Sequence, residues 1–554
     1  MKYFLFIVMM LIAGPLLSAQ TVPTDASPKC QVPSATFNNW FQSGTPSADG
    51  PVNPANSVGF TQSSVCDFYF WAKQMFLWVT SESGGSHVFD SSVFYDVSPP
   101  NASGQRTFIP HGKTPAHLMA ARFAKGGPHG LPIIEDKSGG LFEVVMPSID
   151  DSGQQVVVDT SGTLVEVSKA SITANHRLAL QDSSGQKIEL PSASAPRRAT
   201  LSANAIQTAR EFIVNGAPVF VDASGNIIDV EQGQAGNPSG VLESQTNGLV
   251  YYLTMTNDVY AYFLTGLKNG AIPATQFPTT AAELTAIQNY AKANGKPSFP
   301  DAQALTIELK TSWIEVNDQI KGNYITTTAT IPTYDKSDPK NWVPNGQRPA
   351  TLGLLGLHIV GSIAGHPEMV WATFEHFGDT PNAQYYYTNT HQKSILVPQS
   401  TAGTWEFSAT NSAGPFNVAH MQVSGTNIIG ANNFPISPSD SLRISPWGAS
   451  PNNVSANTYL ISVQNSVSTL MPQNDIRSSY FLVGATWTTN GTAPPGGQTG
   501  ATNVANSTLE TYTQKPSGCF LCHTSLAPYK LSHIFGANGA GLQPLFPASG
   551  SSLK

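Results

Sequence analysis

Charged side chains are scarce in this sequence: Asp, Glu, Lys and Arg make up 11% of its 554 residues, and the formal net charge is −7. Because no cluster of basic residues could follow a phosphate backbone, we do not expect nucleic acid to be a partner. Long apolar runs are also missing beyond the first residues, since no later stretch approaches the roughly 18 apolar residues of a membrane-spanning helix. The surface must therefore carry mostly uncharged polar side chains, as is common in exported proteins.

The first residues are the exception to this polar composition. Met1 and Lys2 give a short positive start, residues 3–17 are almost wholly apolar, and Ala19 is a small residue before a possible cleavage point. This pattern is typical of a secretory signal peptide over residues 1–19. We therefore expect a periplasmic or secreted protein that has no transmembrane segment after the signal is removed.

The rest of the chain is long enough for two or three domains, or for one elaborated β fold. Residues 20–62 are rich in Pro, Ser, Asn and Gly, which predicts an irregular N-terminal arm. We divide the remaining residues into an N-terminal β-rich region, residues 63–240, and a C-terminal region, residues 241–554, which contains the stretch Cys519–His523. The two regions could also belong to a single fold.

Short β-branched runs between glycine-containing turns fill residues 140–230 and predict strands joined as hairpins. Residues 66–81 have apolar side chains at helical spacing, with Ser63 or Ser64 as a possible cap. The same reasoning predicts three further helices, over residues 258–268, 279–295 and 457–471. Together these patterns indicate a mostly β fold with peripheral helices, in the α+β class.

Cysteine is also rare, and the four cysteines are placed as two pairs. Cys30 and Cys66 stand near the mature N-terminus, where an oxidising compartment would favour a disulfide between them. The alternative is two buried thiols.

The second pair lies in the stretch Cys519-Phe520-Leu521-Cys522-His523. Two thiols on one helical turn can each add to a vinyl group of a porphyrin, and the next residue then brings an imidazole to the iron. A zinc site would need a second ligand pair, and a thioredoxin-like redox motif has a βαβ context and no adjacent histidine. The motif therefore predicts one covalent haem c, attached through Cys519 and Cys522, with His523 as the proximal ligand.

The sixth iron ligand is harder to predict, because no methionine follows His523. His533 and Lys530 are candidates downstream of the motif, and an open position is also possible. The upstream candidates are His358, His366, His376, Met369, Met421 and Met471. We favour the histidines of the apolar segment 358–376, although each of them could instead be a core histidine bonded to the backbone.

Within that segment, a regular strand would place Glu375 and His376 on opposite faces. Either group could act as an acid–base partner if the iron has an open coordination position. Burying either one without a partner would cost several kcal/mol.

Four segments in this order resemble a family of exported bacterial proteins that are usually labelled only "cytochrome c family protein". The segments are FWAKQMFLWV (70–79), IELKTSWIEV (307–316), LGLHIVGSIAGHPEMVWATFEH (355–376) and NSTLETYTQKPSGCFLCH (506–523). The resemblance implies a single-haem exported protein that binds haem through Cys519, Cys522 and His523. It also implies functional or pocket positions at Trp313, His358, Trp371, Glu375 and His376. It implies no particular activity.

Three functions fit a single haem c on so large a body. The first is electron transfer with a redox partner protein, which a haem with two protein ligands performs well. The second is a haem-dependent oxidoreductase, peroxidase- or oxygenase-like, in which a small-molecule substrate binds at an open sixth position. The third is a β-rich surface binding protein in which the haem is an accessory.

Overall fold

The structure is a computed structural model. It describes residues 21–98, 105–111, 117–118, 133–135, 141–145, 148–149, 155–173, 175, 177–190, 207–214, 217–222, 224–228, 240–400, 402–424, 427–431, 435–514, 519–523, 526–527, 531–532, 534–535 and 541–547. The predicted signal peptide, residues 1–19, lies outside the described residues.

The helices are mostly short and are separated by long intervals of strand. In chain order they are α1 (Ser34–Trp40), α2 (Val65–Val79), α3 (Asp258–Lys268), α4 (Ala281–Ala293), α5 (Val454–Leu470) and α6 (Cys519–Cys522).

The strands up to residue 221 are short. They are β1 (Glu82–Ser83), β2 (Ser86–His87), β3 (Phe94–Val97), β4 (Phe108–Pro110), β5 (His117–Leu118), β6 (Ile133–Glu135), β7 (Leu141–Val145), β8 (Ser148–Ile149), β9 (Gln155–Val158), β10 (Leu164–Glu166), β11 (Lys169–Ile172), β12 (Leu178–Gln181), β13 (Lys187–Ile188), β14 (Gln207–Val214) and β15 (Ala217–Val221). The later strands include the longest ones. They are β16 (Val250–Asn257), β17 (Ile307–Glu315), β18 (Thr326–Asp335), β19 (Asn341–Ile363), β20 (His366–His376), β21 (Tyr385–Thr388), β22 (Ser394–Val397), β23 (Met421–Ser424), β24 (Asn427–Gly430), β25 (Tyr480–Thr488) and β26 (Gln498–Gly500).

One large sheet organises the molecule, so the fold is mostly β with peripheral helices, as predicted. Its main path runs β26-β25-β20-β19-β17-β16-β3-β4, and every neighbouring pair on this path is antiparallel. The first part of β19 extends beyond this path and pairs with β18 and β24. The central strands are buried on both faces, which explains their long apolar runs.

The two faces of the sheet are covered by different parts of the chain. Side chains alternate between the faces, so Leu309, Ile359 and Ala372 pack into one core cluster while their strand neighbours point the other way. We call this side the α2 face, and we call the opposite side, which carries Lys310, His358 and Thr373, the tail face.

The α2 face is covered by α2, α5 and the N-terminal arm. Phe68 of α2 stacks on Trp487 at 3.8 Å between ring centroids, and Phe76 stacks on Phe374 at 4.4 Å. The arm is less irregular than predicted, because it contains α1 and contributes Phe37 and other apolar side chains to the same core.

Cys30 and Cys66 form the predicted disulfide, which ties the arm to the first turn of α2. By the chain-entropy model, closing a loop of this size stabilises the fold by about 3–4 kcal/mol.

The tail face is covered by α3, α4 and residues from the C-terminal part of the chain. Tyr260 and Phe263 of α3 share a second core cluster with Ile287 of α4 and with the tail residues Phe520 and Phe535. Residues from both sides of position 240 contribute to the sheet, since β3 pairs with β16.

The predicted hairpin region forms three smaller sheets, ordered β15-β14-β7-β6, β10-β9-β8 and β11-β12-β13. The same turn recurs three times in it. Asp159, Asp182 and Asp222 each accept the backbone N–H groups two and four residues ahead. The glycine three residues after each Asp has a φ of about +80°, which an L side chain rarely adopts.

The predicted helices over 258–268, 279–295 and 457–471 are present as α3, α4 and α5. Their caps also match the sequence signals, because Asn257 accepts the N–H of Tyr260 and Thr280 forms a capping box with Glu283. Within the described residues, no helix combines the length and the apolar character needed to cross a bilayer.

A buried lysine sits between α2, α5 and the α2 face of the sheet. Lys73 is 3% exposed, donates to Oε1 of Gln464, and lies 5.5 Å from the ring centroid of Phe374. Burial lowers the pKa of Lys73 to about 7, because the ammonium form loses its hydration.

We predict that the variant Lys73→Met is more stable than wild type at pH 7, by about 2–4 kcal/mol. The unfolded chain binds the extra proton between about pH 7 and pH 10, so wild-type stability rises with pH over that window and the variant loses this slope. Urea unfolding at pH 7 and pH 9.5 measures both effects. Lys393→Met, at an exposed position, is the control and should change neither; a destabilised, still pH-dependent Lys73→Met protein would contradict the prediction.

Candidate functional site

The central strands bring their tail-face side chains into three parallel rows. The register of β17, β19 and β20 aligns Glu308 with Val360 and Trp371, Lys310 with His358 and Thr373, and Ser312 with Gly356 and Glu375. Successive rows are two residues apart, or about 7 Å along the strands. We call the row of Glu308 the motif row, the row of Lys310 the ion row and the row of Ser312 the clamp row.

The ion row is neutralised by Glu510, which comes from the segment just before the haem motif. Its Oε1 lies 3.0 Å from Nζ of Lys310, and its Oε2 lies 2.9 Å from Nε2 of His358. Nδ1 of His358 lies 2.8 Å from Oγ1 of Thr373, whose own proton goes to the carbonyl of Val504. Both ring nitrogens of His358 therefore donate, which is the hydrogen-bonding pattern of an imidazolium.

Glu510 is thus a carboxylate held between two cations. Burial alone would raise the pKa of Glu510, but the charges of His358 and Lys310, together with hydrogen bonds from His358 and the N–H of Asn506, hold it well below its usual range. The carboxylate therefore stays ionised throughout the physiological range.

The clamp row fastens residues 506–508 to the sheet. Glu375 accepts hydrogen bonds from the N–H and Oγ of Ser507, both at 2.7 Å, and its other contact is the guanidinium of Arg443 at 2.6 Å. Asn506 lies directly on Gly356, where an added Cβ would come within 2.3 Å of the Asn506 amide. Glycine is therefore required at this position for the segment to approach the sheet.

The motif row lies under the haem motif itself. The imidazole of His523 packs on the indole of Trp371 with 4.5 Å between ring centroids, and Phe520 meets the same indole edge-on at 6.0 Å. Phe520 is fully buried in the second core cluster, which also contains Val360. The structure therefore brings Trp371, one of the positions suggested by the family resemblance, against the predicted proximal ligand.

The motif forms a single helical turn. Cys519–Cys522 is the short helix α6, and the N–H of His523 donates to the carbonyl of Cys519 at 3.0 Å. The turn is the arrangement that haem attachment needs, because it brings both cysteine positions and the histidine to one short stretch of backbone. The donor set, two thiols and one imidazole, therefore fits a covalent haem c.

The rest of the tail is anchored beside α6. Ser532 donates to Oε2 of the buried Glu308 and is 2.7 Å from the hydroxyl of Tyr260. Farther along, the N–H of Leu545 donates to Thr265 of α3. His533 and Lys530, two of the predicted sixth-ligand candidates, lie outside the described residues.

The other predicted site residues are not gathered at the motif. His376 lies against Tyr324 and Tyr480; it accepts the N–H of Gly378 and donates to the carbonyl of Asn323. Burial lowers its pKa to about 4, so the ring is neutral. His366 lies on the α2 face, edge-on to Phe68, with its Nδ1 2.8 Å from Glu368.

These positions change the roles expected of several residues. Glu375 and His376 do lie on opposite sides of β20, as predicted, but both are bonded within the protein, so we assign them to the structure rather than to acid–base chemistry. Trp313 is fully buried in the first core cluster, on the side away from Phe520. His358 is the one favoured histidine that shares a face with His523, and Glu510 and Thr373 occupy its nitrogens.

Glu510 is the residue that sequence reasoning missed. It stands in the Thr-Leu-Glu-Thr stretch of the resemblance, in a chain with only 35 acidic residues. An acidic residue in a chain with so few charged side chains was a usable signal. Its partners, Lys310 and His358, are far away in the sequence.

Comparisons with known proteins add no family to this picture. No family model matches the chain, and neither the curated proteins nor the solved structures contain a significant match to it. Among the described residues, no group of three or more His, Cys, Asp or Glu side chains is arranged to hold a metal ion by itself.

We predict that Glu510→Gln lowers the free energy of unfolding at pH 7 by about 2–4 kcal/mol, because it leaves the buried His358 and the largely buried Lys310 without their carboxylate. The depressed pKa of Glu510 contributes stability above the unfolded value of about 4.3, and this contribution is lost as the pH falls below it. The variant should therefore lose less stability than wild type between pH 6 and pH 3, as followed by urea unfolding.

The matched control is Glu315→Gln on strand β17, which also carries Lys310. Glu315 pairs with Arg348 at 2.6 Å, but at an exposed position, where an ion pair contributes about 1 kcal/mol or less. Equal effects of the two variants would contradict the assigned role of Glu510.

Proposed function

We propose that this protein is a mono-haem c-type cytochrome that transfers electrons outside the cytoplasm. The observation that carries the proposal is the helical turn Cys519–Cys522, with the imidazole of His523 seated on Trp371. When bound, the haem would supply a one-electron redox centre. Cys519 and Cys522 would hold it covalently, and His523 would ligate its iron.

The protein around the motif fits this role. Aromatic and aliphatic side chains of the second core cluster surround Phe520, and a low-polarity environment around a haem limits its reorganisation during electron transfer. The indole of Trp371 packs against the His523 ring. Glu510 and Ser507 fix the segment that leads into the motif, so the attachment point has a defined position on the sheet.

Location outside the cytoplasm is supported by two features. The first is the signal-like sequence of residues 1–19. The second is the disulfide Cys30–Cys66, which is typical of an oxidising compartment. We propose a periplasmic or secreted protein whose partner is a redox protein.

A haem-dependent oxidoreductase is the second candidate. The observation that favours it is the His358–Glu510 pair, a buried proton donor only one row from Trp371. Such a pair could donate a proton to a small ligand at an open sixth position. The two functions differ in whether the iron is accessible to carbon monoxide.

The test is expression in a host that attaches haem c, followed by haem staining of the denatured protein and intact mass. We predict a mass larger than that of the mature polypeptide by one haem. The double variant Cys519→Ser/Cys522→Ser should lose all covalent haem, whereas Cys30→Ser/Cys66→Ser, the matched control, should keep it. Wild-type protein that carries no covalent haem under these conditions would refute the proposal.

Spectra of the same sample separate electron transfer from enzymatic chemistry. A low-spin ferric spectrum and a ferrous spectrum that carbon monoxide does not change support the electron carrier. A high-spin ferric spectrum with immediate binding of carbon monoxide supports the oxidoreductase instead.

A further inference from the structure

Strand β20 contains an irregularity immediately before Val370, the residue that precedes Trp371. Gly361 pairs with Val370 and Ile363 pairs with His366, so one residue of β19 faces three residues of β20, Pro367 to Met369. Met369 adopts a φ of +66° in this bulge. A left-handed backbone at a residue other than glycine costs about 1–2 kcal/mol and marks positions where the surrounding structure imposes the conformation.

The bulge is held in place through Glu368. Its carbonyl accepts the indole N–H of Trp371 at 3.0 Å, and its carboxylate lies 2.8 Å from Nδ1 of His366 and accepts the N–H of Thr488 at 3.0 Å. Glu368 is fully buried, so these contacts are not exchanged for water. Three hydrogen bonds to Glu368, from Trp371, His366 and Thr488, therefore fix the backbone next to Met369.

The consequence is that Met369 points to the side of the sheet where the haem motif lies. Its side chain is fully buried in the second core cluster, which also contains Trp371, Val360 and Phe520 and against which Cys519 packs. The thioether of Met369 thus lies in the same cluster as the indole on which the imidazole of His523 packs.

The alternative ligands among the described residues are less suited. Cys519 packs against both core clusters, but Met75, Met255 and Met421 belong to the first, which contains neither Trp371 nor Phe520, and Met471 packs against that first cluster. The nitrogens of His358 and His376 are occupied by hydrogen bonds within the protein, and His366 lies on the α2 face.

We propose that Met369, with His523, would be a protein ligand of the haem iron. This inference rests on the proposed function, since it assigns a second ligand to the haem held by Cys519 and Cys522. A thioether is a good ligand for haem iron, and histidine–methionine ligation raises the reduction potential above that of a two-histidine haem. It also closes the iron to external ligands, which favours electron transfer over the oxidoreductase.

The experiment compares wild type, Met369→Leu, Met369→His and Met421→Leu, all produced with covalent haem. Leucine keeps the volume of methionine but cannot bind iron. We expect wild type to show the near-infrared sulfur-to-iron charge-transfer band in the ferric state and the strongly upfield methionine methyl signal in the ferrous NMR spectrum. Met369→Leu should lose both signals and bind carbon monoxide at once, with its haem content unchanged.

The other two variants control for packing and ligand identity. Met369→His should lose the charge-transfer band, remain low-spin and have a lower reduction potential than wild type. Met421→Leu, the same change in the first core cluster, should leave the spectra and the potential unchanged. A haem-containing wild type without the charge-transfer band, or a Met369→Leu protein that keeps it, would overturn the inference while leaving the proposed function intact. Wild type without covalent haem would overturn the proposed function itself.

Discussion

The carboxylate of Glu510, placed between Lys310 and His358, is the interaction on which the arrangement of the C-terminal chain depends. Two cations on neighbouring strands cannot be buried without compensation, because each would lose its hydration at a cost of several kcal/mol. The sheet therefore depends on this segment to compensate Lys310 and His358, and the segment depends on the sheet for its attachment. In the clamp row the sheet itself carries the negative charge. The carboxylate of Glu375 is compensated by Arg443 and by Ser507 of the same segment.

These buried charges determine where the haem motif can lie. The ion row and the clamp row anchor residues 504–510, and the motif comes after a short connection, so α6 arrives at the next row along the same strands. There the motif meets mostly apolar side chains, among them Val360, Trp371 and Phe520, and the one carboxylate of the row, Glu308, accepts a hydrogen bond from Ser532 of the tail. The tail face of the sheet thus holds residues 504–510 by ionic contacts and holds the haem motif against apolar side chains.

Much of this could be predicted from local sequence. Helices α3 and α4 follow from Asn257 and Thr280, whose side chains cap the first turn, and the alternation along β20 correctly separated Glu375 from His376. Pairing over long sequence distances, by contrast, could not be predicted. Nothing local links Glu510 to Lys310, and a regular period of two cannot foresee the bulge that places Met369 on the tail face. For the same reason the histidines of segment 358–376 looked more suitable as iron ligands than their hydrogen bonds allow.

The central claim is that residues 503–514 are part of the core rather than a flexible tether for the haem motif. Hydrogen exchange followed by mass spectrometry tests it directly, because an amide in the core exchanges only when the whole domain opens. The N–H of Ser507 donates to Glu375 and the N–H of Leu509 donates to Asn506, so the account predicts that both exchange as slowly as the amides of β19 and β20. Exchange of this segment many-fold faster than these strands, in a local opening of its own, would contradict the account.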